Sequence, residues 1–162
     1  MERTVEQALV VRRELEIAAR PETVWEFLVD PAKAVRWMGL DVTLDPQPGG
    51  EFRMLVIPGH TASGEFVEVD EPRRLVFTWG WDDADAADPD AVPPGSSTIE
   101  IELEPRGPNG CRTLLRFTHR DLPGPASADS HGHGWDHYLR RLETAAGGGD
   151  PGRDPWLDGP PA

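Results

Sequence analysis

The chain has 162 residues, enough for one domain that buries about 70% of its unfolded surface unaided. Its one cysteine, Cys111, excludes an internal disulfide and points to a reducing, cytoplasmic setting. Sixteen Lys and Arg stand against 29 Asp and Glu, and the net charge of −13 excludes a phosphate-neutralising nucleic-acid surface. No apolar run reaches the roughly 20 residues of a membrane span, and the polar stretch 1–7 leads into no signal-peptide core.

The 17 glycines and 17 prolines gather at 45–50, 107–110, 122–125 and 147–162, so they mostly punctuate a folded chain. Residues 8–18 alternate as a strand, with Leu9, Val11, Leu15 and Ile17 on one face and Arg13 interrupting it. Pro21 suits a first helical turn, and Val24 and Leu28, spaced i, i+4 beside Trp25 and Phe27, supply an apolar helix face. Asp30 and Pro31 open a short second helix running through Trp37. Strands are expected at 41–44, 50–57, 63–69 and 74–81. Phe66 and Val67 leave the facing of the third open, whereas Leu75, Phe77, Trp79 and Trp81 share one face of the fourth. Over 97–104, Ile99, Ile101 and Leu103 alternate with Glu100, Glu102 and Glu104, the pattern of a strand wet on one side. An Asn109-Gly110 turn joins it to 111–120, where Leu115, Phe117 and His119 share a face. Trp135, Leu139, Leu142 and Ala146 recur at helical spacing over 130–146, and three glycines end that helix.

Two stretches stand apart. The segment 82–96 carries Asp82, Asp83, Asp85, Asp88 and Asp90 among prolines and reads as a solvated insertion. The tail 147–162 reads as flexible, so that deleting 151–162 should barely change the melting temperature; Trp156 and Leu157 are the pair able to dock on a groove.

Consecutive antiparallel strands must bury one face, and the last helix offers the long apolar stripe to cover it. The order of elements predicts an α+β domain over 1–146: a curved antiparallel sheet of six to seven strands around a long C-terminal helix, with two short helices after the first strand. The segments ARPETVWEFLVDPAKAVRWMG, PGGEF, GEFVEVDEPRRLVFTW, LRFTHRDLP and GHGWDHYLRRLE resemble the START-related helix-grip (SRPBCC) superfamily over about residues 9–146. The branch to which they are most similar is named after the C-terminal domain of the activator of the heat-shock protein 90 ATPase. The resemblance implies an elongated apolar cavity between sheet and long helix, on a scaffold that serves binding, transport, cyclisation and chaperone regulation alike. In that family the connection at 82–96 is usually a short hairpin, so the acidic insertion is a departure.

Six Trp and five Phe against one Tyr suit an apolar interior. The residues expected to line or close the cavity are Trp37, Phe77, Trp79, Ile101, Leu115, Phe117 and Trp135, with His119 as the polar contact to a ligand. The same stripe can be plain core, since burying such rings is favourable without any ligand. The function expected is non-catalytic binding of a small hydrophobic molecule by a monomer or homodimer, with no cofactor and no metal. Two alternatives stay open: a chaperone partner, whose ATPase the protein would regulate, or a cyclase- or hydrolase-type enzyme using His119 as acid or base. The chain has no nucleophile elbow, phosphate loop, dinucleotide fingerprint or zinc-protease motif. His131, His133 and His137 with Asp136 read as a solvated helix start rather than a metal set, and Arg13 as an ion-pair or snorkelling residue.

Overall fold

A computed structural model of the protein describes residues 9–158; the polar start, the first residue of the first expected strand and the last four tail residues lie outside the described residues. The elements run β1 (Val11–Ile17), α1 (Pro21–Val29), α2 (Pro31–Ala34), β2 (Asp41–Leu44), β3 (Glu51–Ile57), β4 (His60–Asp70), β5 (Arg74–Trp81), β6 (Ser97–Arg106), β7 (Arg112–Arg120) and α3 (Pro125–Ala146). The strands form one antiparallel sheet in the order β1-β7-β6-β5-β4-β3-β2. Each strand from β2 to β7 pairs with its sequence neighbour, and β1 closes the far edge against β7, with Leu15 opposite Leu115.

One face of this curved sheet is apolar because β3, β6 and β7 alternate with period two, and Leu75, Phe77 and Trp79 of β5, a strand buried in part on both faces, add to it. Phe52, Met54, Leu75, Phe77, Trp79, Ile99, Ile101, Leu115 and Phe117 are all buried there. The α3 stripe of Trp135, Tyr138, Leu139 and Leu142 packs into the same core, as do Val24, Trp25 and Phe27 of α1. The opposite face is a lattice of ion pairs: Arg74 reaches Glu68, Glu100 and Glu102, Arg116 reaches Glu14 and Glu104, and Arg112 reaches Glu16. Burial would push the Glu100 carboxyl up, but hydrogen bonds from Arg74 and Arg120 outweigh it and hold the group below its ordinary value.

Several boundaries differ from the sequence expectation. The second helix ends at Ala34 instead of reaching Trp37, because the chain tightens into i, i+3 bonds from Arg36 to Lys33 and from Trp37 to Ala34. Trp37 then turns back, and its Nε1 donates to the Phe27 carbonyl at 2.8 Å. The long helix starts at Pro125 rather than 130, since Pro at the first position needs no intrahelical acceptor for an N–H it lacks. In β4 a bulge between Phe66 and Glu68 resolves the open facing. Phe66 points inward opposite Phe77, Val67 is 51% exposed, and beyond the bulge Val69 faces Leu75 on the inner side.

The insertion 82–96 keeps its aspartates exposed but returns one residue, Val92, to the core. The Trp81 N–H donates to the Val92 carbonyl at 2.7 Å, and the Asp82 N–H donates to Thr61 at 2.9 Å. Gly80 makes this crossing possible: a Cβ there would stand 1.9 Å from the Pro93 carbonyl oxygen.

Candidate ligand pocket

Where β3, β5, the acidic insertion, α3 and the tail converge, the structure holds a pocket of about 710 Å³. Five large aromatic rings line it, Trp79 and Trp81 from β5, Trp135 and Tyr138 from α3, and Trp156 from the tail, with Met38, Val56 and Val92 among the other apolar residues. Asp83, Asp85, Asp88 and Asp90 of the insertion line it as well. A volume of this size suits a drug-sized molecule.

Trp79 is the residue through which the pocket meets the core. It is 1% exposed and lies within 5.1 to 6.1 Å of the rings of Trp135, Trp81, Phe52 and His119. Its indole Nε1 is buried and finds no acceptor among the described residues. A buried donor left without a partner costs about 1 to 3 kcal/mol, and this one is closed off from solvent although its residue lines the pocket.

His119, at 0% exposure, stands one layer behind the wall. The Trp135 indole can only donate, so its 3.0 Å contact with Nδ1 makes that nitrogen an acceptor and leaves the proton on Nε2. The Nε2–H then donates to Ser97 Oγ at 2.8 Å, and the Ser97 hydroxyl donates to the Trp79 carbonyl at 2.7 Å. This chain ties α3, β7, β6 and β5 together and engages both ring nitrogens. Burial, with the neighbouring His131 adding to it, lowers the imidazole pKa to about 3, so the ring is neutral. His131 is neutral for the same first reason: burial lowers its pKa, opposed by the backbone oxygen of Ser127. Its Nδ1–H donates to that carbonyl at 2.8 Å while Nε2 accepts from Trp81 Nε1 at 3.1 Å.

Of the residues expected around a ligand, Trp79 and Trp135 line the pocket. The others lie in the core beside it: Phe77 stacks on Phe52 at 4.5 Å, Phe117 meets Trp135 at 4.7 Å, and Trp37, Ile101 and Leu115 are buried. The helix-start cluster is dispersed among separate partners: Asp136 pairs with Arg13 at 2.6 Å, and His137 Nε2 meets Asp154 at 2.8 Å. Among the described residues no three metal-ligating side chains converge. Trp81 sat on the β5 stripe and Tyr138 beside the helical one, so both carried a signal; Ser97 carried none.

The tail, expected to be flexible, lies against α3 over its described part. Asp154 is 5% exposed and accepts from Tyr138 Oη at 2.8 Å, from His137 and from the Trp156 N–H at 3.0 Å. Trp156 stacks on His137 at 3.9 Å and on His133 at 5.6 Å, which explains the i, i+4 histidine spacing as a platform for an indole. Burial raises the Asp154 pKa, but the three hydrogen bonds dominate and hold the carboxyl below its ordinary value.

Strand order, the gripped C-terminal helix and the pocket between them define a helix-grip protein. The family model described as activator of Hsp90 ATPase homolog 1-like protein matches residues 18–147, and the chain belongs to that family. It is similar to the solution structure of an AHSA1-like protein from Rhizobium etli: 44% identity, 91% of this chain and 87% of that one covered, TM-score 0.70. It also shares its fold with an HSP90 activator from Plasmodium falciparum, at 22% identity, 83% and 94% coverage and a TM-score of 0.66. CalU16 from Micromonospora echinospora has the same fold, at 23% identity, 86% and 84% coverage and a TM-score of 0.65. Among curated proteins none matches the chain.

Proposed function

We propose that the protein binds a small, mostly apolar molecule in this pocket, non-catalytically, with the Trp79 indole N–H as its hydrogen-bond donor. The aromatic-lined cavity of about 710 Å³ carries the reading, and a small shift of the Trp79 indole would let a ligand oxygen meet its orphan N–H and remove a standing desolvation cost. His119 serves this site by positioning Trp135, its nitrogens being committed to Trp135 and Ser97. The single exposed cysteine and the acidic surface suit a cytoplasmic setting.

The test uses N-phenyl-1-naphthylamine as a neutral fluorescent probe, displaced by 1-naphthol or by naphthalene. Trp79→Phe keeps an aromatic wall and removes the N–H, so 1-naphthol should weaken by about 2- to 10-fold, one hydrogen bond's worth, while naphthalene is little changed. Failure of all three to bind the wild-type protein overturns the reading.

Regulation of a heat-shock-protein ATPase is the second reading, supported by the family description. It is tested by adding the protein to such an ATPase: stimulation that survives Trp79→Phe and needs no small molecule would favour it over the pocket.

A further inference from the structure

The carboxylates that line the pocket all come from the acidic segment, and no Lys or Arg faces them from the other walls. Of its lining residues four are Asp and none is Lys or Arg; the basic groups present are the histidines 60, 131 and 133. Asp83 meets His60 Nδ1 at 3.0 Å, but Asp85, Asp88 and Asp90 form no ion pair with any described residue. Their visible hydrogen bonds are local: Asp85 Oδ1 accepts from the Ala87 N–H and Asp88 Oδ1 from the Asp90 N–H, both at 2.9 Å. On the outer sheet face, by contrast, Glu14, Glu16, Glu100, Glu102 and Glu104 each face an arginine. Not every sheet acid is so paired, since Glu51 and Glu65 of β3 and β4 have no ion-pair partner among the described residues, but no Lys or Arg lines the pocket to compensate its aspartates.

Aromatic walls add to the same bias. Indole and phenol faces are electron-rich and attract cations, most strongly when water is excluded, and carboxylates at an opening raise the local concentration of positively charged solutes. Trp79, whose buried N–H lacks an acceptor among the described residues, is one of the same lining residues.

Resting on the reading that the pocket binds a small molecule, we propose that its ligand class is a lipophilic amine or quaternary ammonium. An oxygen acceptor at the buried end meets Trp79, an apolar body spans the aromatic walls, and the cationic end lies against Asp85, Asp88 and Asp90. The 82–96 segment carries the aspartates to the pocket, and Val92 anchors it there.

Three probes of one shape test this by displacement of N-phenyl-1-naphthylamine: 2-(2-naphthyl)ethyl-trimethylammonium, its neutral tert-butyl isostere, and the matching carboxylate. The cation should bind about tenfold tighter than the neutral isostere at low ionic strength, with the carboxylate weakest, and its advantage should shrink as salt is raised. In a variant carrying Asp85→Asn, Asp88→Asn and Asp90→Asn, which keeps the local acceptors, the advantage should vanish while the neutral probe binds as before. Equal binding of cation and neutral isostere overturns the amine assignment and leaves the pocket reading standing. A cation preference that persists in the triple variant overturns the role of the aspartates. Absence of binding by all probes overturns the pocket reading and the assignment with it.

Discussion

His119 shows how a single side chain can be placed on the right face and still serve a different purpose from the one its position suggests. A histidine at the end of an apolar strand face can hold a ligand, transfer a proton or tie elements together, and its two nitrogens decide which. Here both are engaged by protein groups, so His119→Ala should lower stability by about 2 to 4 kcal/mol by opening a void and stranding Trp135 Nε1, and should weaken all neutral probes alike through the loosened Trp135 wall. The same burial predicts an acid response. The folded ring titrates at about 3 and the unfolded ring near 6.5, so its stabilising contribution is complete above 6.5 and is lost as pH falls toward 3. Urea unfolding at pH 7 and pH 5 should differ by about 2 kcal/mol for this group, with His131 adding in the same direction. A stability that is flat across that interval, or a slope that His119→Asn leaves unaltered, would contradict a buried neutral ring.

At the scale of elements, β6 and β7 were legible because period-two alternation survives in an antiparallel sheet with one wet face. The facing of β4 was not, since a bulge changes parity within the strand and leaves no mark in composition. The pocket was legible only in part, through Trp79 and Trp135, because it is assembled from segments far apart in sequence, two of them rich in Gly, Pro and Asp. In such segments a lone large apolar residue is the usable signal, and both Val92 and Trp156 prove to be anchors. The tail contacts argue for a larger effect of truncation than its composition does. Removing 151–162 unpairs Tyr138 Oη and uncovers the His133–His137 platform, which should cost about 2 kcal/mol, or roughly 4 to 8 °C in melting temperature for a domain of this size. Asp154→Ala should reproduce most of that loss and speed tryptic cleavage at Arg153; an unchanged melting curve in both variants would mean that the docked arrangement contributes nothing.

For the molecule as a whole, the pocket is where the sheet, the gripped helix, the acidic insertion and the tail all meet. A ligand seated there binds only the folded chain, so saturation at a hundred times its dissociation constant should raise stability by about 2.7 kcal/mol. The cost of an ill-placed insertion should be equally global: Gly80→Ala, with no room beside Pro93, should lower the melting temperature and weaken probe binding together. A variant that loses one property without the other would separate the insertion from the site. The hydrogen-bonded chain from Trp135 through His119 and Ser97 to the Trp79 carbonyl has a practical consequence. The proton on His119 Nε2 is shut away from water, so it should exchange slowly enough to give its own resonance far downfield of the amide envelope. Two of the indoles that bracket that chain also form the pocket wall, which makes this one proton a native spectroscopic gauge of occupancy, readable without any label or engineered probe.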